Sequence, residues 1–138
     1  VRLVWGLLLG LLLAVPAWAQ ATPRGFYEAY NKAVINSHQL EDLAPYLTRG
    51  KMGELRKLPA QKQVALLHLM KMLAPRDLRI VREKNAAPGR AELYATGMAQ
   101  GRPTDKQRQA AWGHIVLVRE QGAWKLEEES WANHAPMP

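Results

Sequence analysis

Four histidines, His38, His68, His114 and His134, are the side chains of this sequence best suited to moving a proton near neutral pH. They form no His-x-x-x-His pair and no histidine–carboxylate set of the kind that marks a metal site. Nucleophilic chemistry fares no better. There is no cysteine, and the two serines, Ser37 and Ser130, lie outside any nucleophile elbow. Ser37 and His38 are neighbours, but adjacent helical residues point apart. The stretch "TRGKMGE" has a Gly-Lys pair without the earlier glycine or the following Ser/Thr of a phosphate loop. The three aspartates, Asp42, Asp77 and Asp105, fall at loops or element edges. What remains is acid–base chemistry. Tyr30 and His38 are eight residues apart, two helical turns, so both can look into one space.

The elements that would position them read as helices first and strands afterwards. Thr22-Pro23 is a hydroxyl cap followed by proline at the first helical position. The helix it opens runs to about His38, with Phe26, Tyr30, Ala33, Val34 and Ser37 at helical spacing and Tyr27 in a neighbouring stripe. "LEDLAPYLTRG" reads as a short helical turn closed by Gly50, and "KMGELRKL" as another short helix. From Pro59 to Leu73 a longer helix carries Leu66, Leu69, Met70 and Leu73 on one side and ends before Pro75. His68 falls opposite that stripe and reads as a surface residue.

The period then changes to two. "DLRIVRE", "AELYATGM", "AAWGHIVLVRE" and "WKLEEESW" read as four strands in hairpin order, joined at "NAAPGR", a polar loop around Pro103 and the tight turn "QGA". Leu93 and Ala95 oppose Tyr94 and Thr96. Ile115 and Leu117 oppose Val116 and Val118, with Trp112 and His114 on the Val116 side. Helices followed by a strand meander predict an α+β domain, helices packed on one face of an antiparallel sheet of about four strands.

The front of the chain reads as an address. Leu3–Val15 is an apolar run of signal-peptide length, too short to span a bilayer, with Arg2 before it and Pro16 after it. Ala17-Trp18-Ala19 supplies the small residues a signal peptidase needs. The expected cut falls between Ala19 and Gln20, so residues 1–19 are a signal peptide and residues 20–138 a single domain, periplasmic or secreted. Val1 reads as an alternative start codon of a bacterial gene. No stable membrane span is expected after cleavage. The absence of cysteine excludes disulfides in that oxidising compartment.

The whole chain has a net charge of +7, and the part after the cut about +6. Between Arg49 and Arg90 there are 11 basic residues and three acids; between Glu120 and Trp131 there are four acids and one lysine. Export removes nucleic acid as a partner. The basic residues read as solvated helix faces or as a surface for an anionic envelope component.

The ending "GHIVLVREQGAWKLEEESW", with the helices-then-meander order and a length near 120, resembles the nuclear transport factor 2-like superfamily. The resemblance implies a cone-shaped α+β fold with a mostly apolar pocket between the sheet's concave face and the first helix. Its lining here would be Tyr27, Tyr30, His38, Tyr94, Met98, Trp112 and His114, with Glu128 added if the last strand is regular. It also implies that copies pair through the convex sheet face, giving a homodimer. The isomerase branch of the superfamily uses pocket carboxylates and a tyrosine, and no aspartate here stands in a matching motif. The sequence therefore predicts a non-catalytic domain that binds a small apolar ligand or an envelope protein, without metal or other cofactor. The alternative is a small cofactor-independent isomerase or hydrolase using a pocket histidine and tyrosine.

Overall fold

A computed structural model describes residues 22–134. The expected signal segment and its cut lie outside the described residues. Three helices precede four strands: α1 (Pro23–Asn36), α2 (Arg49–Arg56), α3 (Ala60–Leu73), β1 (Arg76–Ala87), β2 (Arg90–Ala99), β3 (Gln109–Glu120) and β4 (Ala123–Ala132). A 3₁₀ turn at Leu40–Leu43 lies between α1 and α2. The strands form one antiparallel sheet in chain order, β1-β2-β3-β4. The fold is the α+β arrangement that the sequence predicts.

Helix α1 starts as its cap dictates. Thr22 Oγ1 accepts from Gly25 N at 3.1 Å, and Pro23 occupies the first helical position. Phe26, Tyr27, Tyr30 and Val34 bury one face of α1, where they join Leu93, Ile115, Leu117 and Leu126 of the sheet in a single core. Two readings of the helical region need correction. Gly50 does not close a turn. Thr48 caps α2 through Lys51 N, which places Gly50 in the first turn of that helix. On α3 the buried residue is Leu67, while Leu66, Leu69, Met70 and Leu73 are only partly covered. This helix is apolar nearly all round, so periodicity alone does not choose its inner side. His68 is exposed, as its position opposite the stripe predicts.

Sheet register sorts the remaining side chains, because residues opposite each other share a face. Leu93 pairs with Ile115, Ala91 with Leu117 and Ala95 with Gly113, all on the helix-covered inner face. Tyr94 pairs with His114 and Thr96 with Trp112 on the outer face. In β4 the alternation slips. Leu117 pairs with Leu126, but Val116 pairs with Glu128, so Glu127 is an extra residue, a β-bulge. Its carbonyl accepts from Lys51 Nζ at 2.6 Å, and its carboxylate is bound by Arg90 at 2.7 Å. The bulge reverses which residues face inward. Leu126 is inward, then Glu129 and Trp131 instead of Glu128 and Ser130.

Two-residue turns close two of the hairpins. Pro88-Gly89 joins β1 to β2, with Gly89 at φ 72. Gln121-Gly122 joins β3 to β4 with both residues at positive φ, the turn whose twist matches the flanking strands. The far edge of β4 is covered at Leu126, where Leu47 bridges it in parallel and Leu126 N donates to Tyr46 O at 2.8 Å.

Candidate ligand-binding site

The bulge places an acid on the inner face of the sheet, and α1 supplies its partners. Tyr27, with no exposed surface, donates its hydroxyl to Glu129 Oε2. Trp131, two residues on, donates its indole N–H to the same oxygen at 3.2 Å. The Trp131 ring lies over Gly113, where a Cβ would stand 2.6 Å from the ring. Only glycine leaves room for the indole at that point of β3.

Glu129 and Trp131 border a cavity of about 300 Å³ between α1, the last turns of α3 and the β4 end of the sheet. Val34, Leu69, Met70, Leu73 and Pro75 give it apolar walls, and Trp131 closes one side. The partial burial of α3 is thereby explained. Leu67 fills the core, while Leu69 and Leu73 face the cavity.

Four polar side chains complete the lining: Tyr30, Asn31, Gln100 and Glu129. Tyr30 is 3 % exposed, and its hydroxyl has no hydrogen-bond partner among the described residues. The fully buried side-chain polar atom that lacks a partner among the described residues is Trp124 Nε1; the Tyr30 hydroxyl is not sealed off, and at the cavity wall it is free to bond something that enters. Asn31 donates its Nδ2 to the Pro75 carbonyl at 3.1 Å. That carbonyl can only accept, so the amide's orientation is fixed. Gln100 likewise donates Nε2 to the Asp105 carbonyl at 2.7 Å.

The electrostatics follow from enclosure. Burial first, and the nearby Glu129 charge second, push the Tyr27 hydroxyl well above its ordinary range. Tyr30 is raised by the same two causes in the same order. The density of protein around the Glu129 carboxyl raises its pKa, against the two hydrogen bonds and the Lys51 charge that lower it. Glu129 is nevertheless open to solvent over much of its surface. Solvent on its free side weakens that rise relative to full enclosure, but not its direction.

The residues expected to line a pocket are distributed over three places. Tyr27 and Tyr30 are on the inner side, at the acid and the cavity respectively. His38 is exposed in a separate groove between the end of α1 and α3, beside His68 and Lys71. Tyr94, Trp112 and His114 are on the outer face, as is Met98, which pairs with Ala110. There the Tyr94 and His114 rings are 5.0 Å apart, Arg82 covers Tyr94 and His114 Nε2 meets Glu92 Oε1 at 3.2 Å. His38, Tyr30 and His114 therefore share no site, and the convergence on which acid–base catalysis by them would depend is not formed. Glu128 points away from the helices, and Glu129 takes the inward position that a regular strand would give it. Asn31, Gln100, Glu129 and Trp131 are the polar and aromatic site residues that sequence reading missed. Asn31 had one signal, its place three and four residues from Val34 and Tyr27 on the buried stripe. Among the described residues no cluster of ligating side chains could hold a metal ion, and no helix is long and apolar enough to cross a membrane. No protein-family model, curated protein or solved structure matches the chain.

Proposed function

We propose that this chain is a non-catalytic small-ligand-binding domain of the bacterial cell envelope, exported by its N-terminal segment and built on a nuclear transport factor 2-like scaffold. The observation that carries this reading is the cavity of about 300 Å³, apolar in its walls, with the Tyr30 hydroxyl and the Glu129 carboxylate in its lining. Ligand sites have this character: mostly apolar surface with a few polar groups that fix orientation. The helices-then-meander order and the terminal hairpin support the scaffold assignment.

A thermal-shift screen of small apolar molecules, run in parallel on the wild type and Leu69→Trp, tests the reading. The substitution places an indole in the cavity. Compounds that raise the wild-type Tm and leave Leu69→Trp unmoved are the expected result, since a ligand stabilises only the state that binds it. Equal shifts in both proteins would place the binding elsewhere and refute the cavity as the site.

A further inference from the structure

The unmet hydrogen-bonding groups of the cavity centre on one charged acceptor. Asn31 and Gln100 each spend one of their two N–H groups on a backbone carbonyl, which leaves each amide with a donor and an acceptor to offer. Glu129 gathers both of its donors, Tyr27 and Trp131, on Oε2, which leaves Oε1 without one. The Tyr30 hydroxyl accepts as readily as it donates. The amides and the hydroxyl can take either role, so it is Glu129 Oε1, an acceptor only, that requires an occupant to bring a donor.

Charge points the same way. The chain carries 19 Lys and Arg against 12 acids, yet no lysine or arginine lines the cavity, and Glu129 is the charged residue that does. The cation that acts on Glu129 is Lys51, whose ammonium is held by the Glu127 carbonyl at 2.6 Å. Flat aromatic surface from Trp131 and Tyr30 stands beside the acid, and ring faces attract cations.

We propose that the ligand is a small organic cation, a protonated amine on a short apolar or aromatic body. The ammonium lies against Glu129 Oε1 and within reach of the Tyr30 oxygen, and the body lies along Val34, Leu69 and Leu73. This rests on the reading that the cavity binds small molecules, and it narrows the class.

Three probes with closely similar bodies separate the two ideas: 2-phenylethylamine, 2-phenylethanol and phenylacetate, cationic, neutral and anionic at pH 8. Their affinities are measured by ligand-observed NMR against the wild type, Glu129→Gln and Leu69→Trp. The expected result is that the amine binds at least tenfold tighter than the alcohol, and phenylacetate more weakly than either. Glu129→Gln should bring amine and alcohol within about twofold of each other, and Leu69→Trp should remove both. Alcohol binding as tight as the amine, or amine binding unchanged in Glu129→Gln, overturns the cation and leaves the cavity reading standing. No binding by any probe counts against both. Should Glu129→Gln fail to fold, the wild-type ranking of the three probes still decides the question.

Discussion

Glu129 holds its position against its surroundings. Crowding by protein makes the charged form less favourable than it is in the unfolded chain, so the folded protein keeps its proton to higher pH. In the interval from the ordinary glutamate range up to the raised value, the folded state binds more protons than the unfolded state. Stability from this group is therefore complete below about pH 4 and declines as pH rises through the interval. Glu129→Gln should remove that decline, so that urea midpoints of wild type and variant draw apart from acid toward neutral pH in the variant's favour. Tyr30 behaves similarly at the other end of the scale. Its raised pKa keeps it neutral when folded, while the unfolded chain ionises above about pH 10. Stability should fall in that range, and Tyr30→Phe should flatten the fall. At pH 7 the same substitution should cost less than about 0.5 kcal/mol, because the lost hydroxyl has no protein partner. Denaturant titrations at the two pH values check both statements.

Among the elements, local chemistry announced itself where one residue type had one job. Thr22-Pro23 starts α1, Pro75 follows α3, and the alternation of β2 and β3 sorts Leu93, Ile115 and Leu117 from Tyr94, His114 and Val116. The inner side of α3 was hidden because its apolar residues circle the helix, and only packing against α1 and the sheet selects Leu67. The candidate site was less legible than the fold. Aromatic residues at period two identify a covered surface but not which surface the helices cover, so Tyr94, Trp112 and His114 were grouped with Tyr27 and Tyr30. The bulge was hidden more deeply still. It depends on Lys51 and Arg90, distant in sequence, binding the carbonyl and carboxylate of Glu127. The turn between β3 and β4 shows an element that can be improved. Gln121 sits at φ 53, where a side chain with a Cβ is strained and asparagine is tolerated best. Gln121→Asn should stabilise by about 0.5–1 kcal/mol, read as a higher urea midpoint with an unchanged slope.

A chain exported and cut as its front end predicts would appear in the periplasmic or culture fraction with Gln20 as its first residue. Intact-mass measurement decides this, and a cytosolic product retaining residues 1–19 would refute it. Such a cut would remove Arg2 and leave 119 residues, a length at which a domain can bury its core without disulfides. Among the described residues one apolar core spans α1, the 3₁₀ turn, α2, α3 and the four strands, and none of these elements has a core of its own. Ligand binding should therefore stabilise the domain as one unit. At a ligand concentration one hundred times Kd the gain is about 2.7 kcal/mol.

The three consecutive glutamates of β4 make its length ambiguous. Removing any one of them yields the same shortened sequence, and that sequence needs no bulge. Counting back from Leu126, opposite Leu117, the second of the remaining glutamates falls opposite Ile115 and the following tryptophan opposite Gly113, which are the partners they have now. A chain one residue shorter should thus keep its acid and its indole at the cavity while losing the bend and the Lys51 and Arg90 contacts. Here a deletion, ordinarily among the harshest changes a strand can suffer, should disturb binding less than exchanging the one inward carboxylate for an amide. The length of this strand is free to drift by a residue while the chemistry it presents stays in place.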